Sequence, residues 1–411
     1  MSGPVPQHAP LEHFAVENDC LVIGGVNVTD LAARVGQTPF YAYDRQVIDR
    51  RITALRAAMP PAAKLHYAMK ANPMPAIVSH ITRRVDGIDV ASGQELRVAL
   101  NAGTDPYEIS FAGPGKSAAE LEQAVAARIL LNIESRREIE LLSAIGRAMN
   151  VRPRVAVRVN PDFELKSAGM RMGGGPKQFG IDAEEVPAVL KEIGARNLGF
   201  EGFHIFWGSQ NLRADAICDA QQKSFELALL LAKEAPRPVR VLNIGGGLGI
   251  PYFPGEQPLD LKLIGENVKA LVTRAGNELP NASLVIELGR FLVGEAGIYI
   301  CKVIDRKISR GHVFLVTDGG LHHHLAASGN FGQVIRKNYP VAIANKMRGT
   351  RREVASVVGP LCTPLDLLAD RMDLAEAEPG DLVAVFQSGA YGLTASPSGF
   401  LSHPAAVEVL L

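Results

Sequence analysis

Lys70 closes a short apolar run, in the segment Lys64-Leu65-His66-Tyr67-Ala68-Met69-Lys70-Ala71-Asn72-Pro73. A primary amine at a strand end can form a Schiff base with an aldehyde cofactor, above all pyridoxal phosphate. An isolated lysine there would ordinarily be a solvated side chain. The residues at the ends of the other apolar runs change that reading. In order they are Asp89 with Ser92 and Glu95, Gly113, Asn132, Arg158 with Asn160, His204, Gly245-Gly246-Gly247, and Glu287 with Arg290. Acids, amides, cations and glycines at such ends suit a phosphate-bearing cofactor.

The runs that must position them are Leu65–Met69, Ile88–Val90, Ile109–Phe111, Ile129–Ile133, Val155–Val159, Phe200–Ile205, Val239–Ile244 and Leu284–Glu287. They are short, apolar and rich in Val, Ile and Phe, as strands buried on both faces are. Helix-like stretches separate them. Ser117 to Ala127 opens on a Ser N-cap with Glu120 three residues on, and Gln222 to Glu234 is rich in Ala and Leu. Eight strand–helix units predict a closed (β/α)8 barrel, with a doubly wound open sheet as the alternative, and barrel sites gather at the carboxyl ends of the strands.

With 411 residues the chain has room for a barrel and a second domain. Its 43 basic and 43 acidic residues cancel, and no basic tract marks a nucleic-acid or membrane surface, so a small-molecule substrate is expected. Cys20, Cys218, Cys301 and Cys362 have no paired spacing, which fits a reducing cytoplasm. Met1 to Pro10 lacks a signal pattern and is expected to be a flexible arm. No apolar stretch has the length of a membrane span.

After about Gly297 alternation gives way to consecutive strands, Ile298–Ile304, Val313–Thr317, Val354–Val358 and Leu382–Phe386, with a helical run expected only around Leu365–Met372. Asp19–Val28, turning at Gly24-Gly25, is expected to be a hairpin of the same domain. The expected division is 1–40 as arm and strands joining the β domain, 41–297 as the cofactor-binding barrel, and 298–411 as a β-rich, sandwich-like domain.

Together, Tyr67-Ala68-Met69-Lys70-Ala71-Asn72, Gly245-Gly246-Gly247, Glu287-Leu288-Gly289-Arg290, Gly359-Pro360-Leu361-Cys362 and Gly389-Ala390-Tyr391-Gly392 resemble the fold-type III pyridoxal-phosphate decarboxylases, which include diaminopimelate, ornithine and arginine decarboxylases. The resemblance runs from about Thr38 to the end, with the motifs in family order. Gly173-Gly174-Gly175-Pro176-Lys177-Gln178-Phe179-Gly180 and Asp318-Gly319-Gly320-Leu321-His322-His323-His324 are similar to the subgroup associated with bacterial exosortase systems.

The resemblance implies that Lys70 binds the aldehyde and that Glu287 holds the ring nitrogen protonated, which makes the ring a better electron sink. It implies that His204 stacks on the ring, although His204-Ile205-Phe206-Trp207-Gly208-Ser209-Gln210 is longer than the usual His-x-Gly-Ser form. Glycines admit close backbone approach to a phosphate, and Gly245, Gly246 and Gly247 directly follow a strand. The resemblance adds Asp89, Ser209, Gly289, Arg290 and Tyr391 to the cofactor site. It also implies a homodimer with shared sites, in which Cys362 of the neighbouring subunit protonates the α-carbon. Relatives acting on diamino acids carry Asp or Glu after that cysteine; Thr363 stands here and cannot pair with an ammonium as a carboxylate does. The resemblance further implies substrate-contact positions at Arg336, Tyr339 and Asp366. Three adjacent histidines rarely converge on one ion, so His322, His323 and His324 are expected to line a pocket rather than bind metal.

The function expected is α-decarboxylation of an amino acid or a carrier-bound aminoacyl group. A racemase of the same fold type is the rival, but such racemases set Arg against the ring nitrogen where Glu287 stands. A non-catalytic regulatory homologue would not need Lys70, Glu287 and Cys362.

Overall fold

The computed structural model describes residues 7–163 and 170–411. The chain divides into two compact units: Ile52–Gly249 with Leu259–Gly289, and Met1–Arg51 with Ile250–Pro258 and Arg290–Leu411. The expected divisions stood at 40 and 297. Phe40–Tyr43 pairs antiparallel with the strand that opens at Gly297, which draws the chain before Arg51 into the β-rich unit.

The first unit holds eight parallel strands: β1 Lys64–Ala68, β2 Gly87–Val90, β3 Ile109–Phe111, β4 Leu130–Ile133, β5 Arg154–Asn160, β6 Gly199–Ile205, β7 Val241–Gly246 and β8 Ser283–Leu288. Each pairs with the next, and β8 pairs with β1, so the sheet closes. Closure decides for the barrel over the open sheet. Every residue of β2 and β4 is buried, which is why these strands read as apolar runs broken only by Asp89 and Asn132.

Helices follow the strands, and serines set where they start. Ser92, Ser117 and Ser135 each accept a hydrogen bond from the backbone N–H three residues on, and at Ser117 the Glu120 carboxylate returns the bond. Ser92 and Glu95 are therefore helix-start residues, Glu95 also accepting the Ala91 N–H at 2.6 Å. The second expected helix is longer than the sequence suggests, at Ala214–Ala232.

In the β-rich unit, Cys20–Ile23 and Val26–Asn27 form the expected hairpin across Gly24-Gly25, both glycines at positive φ. The long strand Gly297–Ser309 organises the rest. Its first half pairs with Phe40–Tyr43 and Leu382–Val385, and its second half with His312–Thr317. Arg352–Val358 continues that sheet, parallel to His312–Thr317. Leu21, Ile23, Phe40, Ala42, Ile298, Ile300 and Phe386 share one buried core.

One expectation fails here. The helical run read around Leu365–Met372 is instead the strand Leu367–Ala375, antiparallel to Arg352–Val358. Its Leu, Ala and Met favour a helix locally, but pairing and burial of Leu368, Ala369, Leu374 and Ala375 override that preference. The expected N-terminal arm falls partly outside the described residues. From Gln7 on it is tied down, with the Gln7 carbonyl accepting the Gly255 N–H and His8 bonded to the Asn338 carbonyl.

Candidate active site

Lys70 sits in a single 3-10 turn, Met69–Ala71, directly after β1. The Tyr67 hydroxyl donates to the Asn72 carbonyl at 2.8 Å and fixes the chain beyond that turn. A side chain at Gly289 would stand 2.9 Å from the Ala71 Cβ, so glycine there lets the end of β8 approach the lysine turn.

From β8, Glu287 projects a buried carboxylate whose Oε1 lies 3.5 Å from Lys70 Nζ. Its Oε2 pairs with His204 Nε2, on β6, at 3.1 Å. The lysine side chain is 41% exposed and the glutamate 6%, so a reachable amine stands beside a sheltered anion. The Phe206 ring lies 5.4 Å from the ammonium. Burial alone would raise the Glu287 pKa, but Lys70, His204 and Arg158 more than offset it and hold the carboxyl well below its usual range. Glu287 is thus ionised at neutral pH. The stability tied to this shift is present above the unfolded carboxylate value of about 4.3 and is lost as pH falls through the folded value.

Gly245 and Gly247, with Gly246 between them at the end of β7, take positive φ of 72° and 68°. A methyl group on Gly246 would stand 1.8 Å from the Glu287 carbonyl oxygen, and one on Gly247 would stand 2.8 Å from the buried Trp207 ring. Asn243 Oδ1 accepts the Gly245 N–H at 2.8 Å and shapes the loop from inside the strand. Gly246→Ala is accordingly expected to push β7 and β8 apart, cost about 1–3 kcal/mol and weaken cofactor uptake. Thermal melting and a cofactor titration check this; unchanged values in both would contradict the close packing described.

Asp89, on β2, accepts from the Ser110 hydroxyl at 2.6 Å and pairs with His66 Nδ1 at 3.0 Å. Asn132 donates to the same serine at 3.3 Å. Asn160 holds the backbone of Gly174 and Gly175, which places that second glycine run in a loop anchored to β5. Sequence reasoning missed a buried charge cluster. Glu134 accepts from Arg158 at 2.8 Å, Gly113 N–H at 2.5 Å and Gly180 N–H at 3.1 Å, and Lys116 pairs with Glu138 at 3.0 Å. Four charges within 43 residues of one chain segment were visible, but nothing in their spacing says that they meet. Ser209 is half-buried in the short strand Gly208–Ser209.

In the β-rich unit, Arg290 donates to the Tyr252 hydroxyl at 2.9 Å and lies 4.6 Å from the Tyr391 ring centroid. Cys362 is exposed on a tight turn, with Thr363 half-buried beside it. Asp366 anchors that turn: its two oxygens accept the Leu321 and Leu361 N–H groups at 2.6 and 2.8 Å. The Arg336 guanidinium is held by Ser328 O, Asn338 Oδ1 and Leu367 O, at 2.5 to 3.2 Å. Tyr339 is buried, its ring 4.6 Å from that of Tyr252. These three substrate-contact positions thus have internal partners.

The histidine run is core, not pocket lining. His322, His323 and His324 are buried, His323 Nε2 bonds to the Pro404 carbonyl at 2.8 Å, and His324 Nε2 to the Ser388 hydroxyl at 2.8 Å. Burial pushes His324 down to about 3 and His322 down to about 4, so both are neutral. No group of metal-ligating side chains converges among the described residues. No helix among them is long and apolar enough to cross a membrane.

A family model described as pyridoxal-dependent decarboxylase, pyridoxal binding domain, matches residues 45–294. The L-glutamyl-[BtrI acyl-carrier protein] decarboxylase of Niallia circulans is 38% identical over 391 residues, covering 93% of this chain and 90% of that protein. The diaminopimelate decarboxylase of Aquifex aeolicus is 35% identical over 401 residues, covering 95% and 90%. Among solved structures, diaminopimelate decarboxylase from Helicobacter pylori complexed with L-lysine is similar at a TM-score of 0.82 and 29% identity, over 94% of each chain. These likenesses do not single out a subgroup.

Proposed function

The chain belongs to the pyridoxal-dependent decarboxylases, and on that premise we propose that its substrate is an amino acid group without a distal ammonium, carried as an acyl group on a carrier protein. It is a carboxy-lyase of fold type III that uses pyridoxal phosphate and releases carbon dioxide. The observation that carries the substrate reading is Thr363, next to the exposed Cys362. A hydroxyl offers an ammonium no opposite charge. The carrier-linked glutamyl substrate named for the Niallia circulans relative supports the same reading.

The residues present fit the cofactor: a reachable amine, a buried ionised carboxylate and a glycine edge lie at the ends of β1, β8 and β7. When bound, pyridoxal phosphate supplies an aldehyde for the substrate amine and a ring that accepts the electron pair left as carbon dioxide departs. We assign Lys70 to the aldehyde. Glu287, anionic and sheltered, holds a proton at the ring nitrogen, and His204 orients Glu287 and flanks the ring. Gly245, Gly246 and Gly247 offer backbone to the phosphate. Asp89, Ser209, Gly289, Arg290 and Tyr391 keep their cofactor assignments on the resemblance alone. Cys362 delivers the proton to the α-carbon, and we assign it to the partner subunit of a homodimer. Arg336, Tyr339 and Asp366 act in this reading as supports, through the bonds already described. We place the enzyme in the cytoplasm, where its four unpaired cysteines stay reduced.

The test is carbon dioxide release from a carrier-linked glutamyl thioester, free glutamate, diaminopimelate and lysine. The thioester should be turned over best; a wild-type preference for either diamino acid would overturn the reading. Thr363→Asp should move relative kcat/KM towards the diamino acids by about tenfold, the effect of one added charge pair of roughly 1.4 kcal/mol.

A further inference from the structure

The β-rich unit carries a groove of about 640 Å³ lined in part by two parallel strands, His312–Thr317 and Arg352–Val358. Side chains alternate along strands, so Phe314 and Val358 face this groove while Leu315 and Val357 lie buried in the sheet's other face. Phe314, in register with Ser356, and Val358 give the groove an apolar floor that runs towards Leu361 and Thr363.

Two arginines line the groove away from Leu361 and Thr363. Arg310 lies in the Arg310–Gly311 turn, and Arg371 lies in a bulge where Asp370 and Arg371 together oppose Ser356. The Ser356 hydroxyl accepts the Arg371 N–H at 3.0 Å and donates to Asp370 Oδ1 at 3.0 Å. That pair of bonds ties the bulge down and engages the one carboxylate on this wall. Arg310 and Arg371 are exposed, and neither guanidinium takes part in an ion pair among the described residues. Leu361 and Thr363, each one residue from Cys362, line it as well. From Ser356 to Gly359 the strand advances three residues, about 10 Å.

We propose that this groove takes the phosphorylated arm of a carrier-linked thioester, with Arg310 and Arg371 holding its phosphate and the Phe314–Val358 floor directing the chain towards Thr363. This rests on the reading of a carrier-borne substrate. A long arm with one anion and an otherwise uncharged aliphatic and amide body matches a groove whose two arginines stand away from Thr363. No bond is made or broken; the groove binds.

The experiment compares a glutamyl thioester of phosphopantetheine with one of pantetheine lacking the phosphate, on the holoenzyme. Arg310→Asn combined with Arg371→Asn removes both charges while respecting the left-handed backbone, which Asn tolerates. Wild type should show a KM about tenfold lower for the phosphorylated thioester, the size of two partly exposed charge contacts. The double variant should lose that preference, with kcat and the KM for the unphosphorylated thioester unchanged. Arg371→Lys should keep most of the preference and guards against misfolding of the double variant. Equal KM values in wild type, or a preference surviving in the double variant, would overturn the groove assignment while leaving the carrier reading intact. Competition by inorganic phosphate as strong as by phosphopantetheine would reduce the site to a general anion site and also overturn it. If free glutamate is decarboxylated and neither thioester is, the carrier reading fails and the groove with it.

Discussion

Lys70→Ala should abolish carbon dioxide release, lowering kcat/KM by about four orders of magnitude or more, because on the proposed assignment it removes the covalent partner of the cofactor. The visible absorbance band of the holoenzyme should vanish with it. Lys116, another lysine of the barrel, is buried against Glu138 and the Gly113 carbonyl and cannot take over. Circular dichroism separates loss of chemistry from loss of fold, and an exposed lysine on a 3-10 turn is a mild site for truncation. A variant that keeps both the band and turnover would move the nucleophile elsewhere.

The second large effect concerns Cys362. Cys362→Ala should be nearly inactive on its own, as should Lys70→Ala. If Cys362 acts in the partner's site, refolding the two variants together creates dimers with one intact site and one doubly damaged site. With random exchange roughly a quarter of all sites should be restored, since half the dimers are mixed and each holds one good site. Activity after co-refolding, with mass spectrometry to prove mixed dimers, reads this out. Mixed dimers without recovery would put both residues in one subunit's site or remove Cys362 from the chemistry.

The barrel was legible because burial on both faces writes its strands as short, mostly apolar runs, and because Ser117 with Glu120 marks a helix start; Ser92, read with the strand-end residues, and Ser135 prove to be caps as well. Lys70, His204 and Glu287 were legible as polar residues interrupting those runs, and the structure brings the three together around one carboxylate. What stayed hidden depends on partners remote in sequence. Leu367–Ala375 reads as helix until the strand Arg352–Val358, earlier in the chain, pairs with it. The internal bonds of Arg336 and Asp366 run mostly to backbone groups, which leave no trace in side-chain patterns. The three histidines are polar by type, yet two are held within the fold by a carbonyl and a hydroxyl. Asn243 did carry a usable signal, a lone amide inside an apolar strand just before the glycine run, and it caps that run.

The central claim, that Lys70 is the residue that binds pyridoxal phosphate for decarboxylation, can be tested on the intact enzyme. The protein is loaded with pyridoxal phosphate, reduced with borohydride, digested and mapped by mass spectrometry, while carbon dioxide release is followed in parallel. The account predicts the cofactor's added mass on the peptide containing Lys70, rising in step with loss of activity. Mass on another lysine such as Lys116, or full inactivation with Lys70 unmodified, would contradict it.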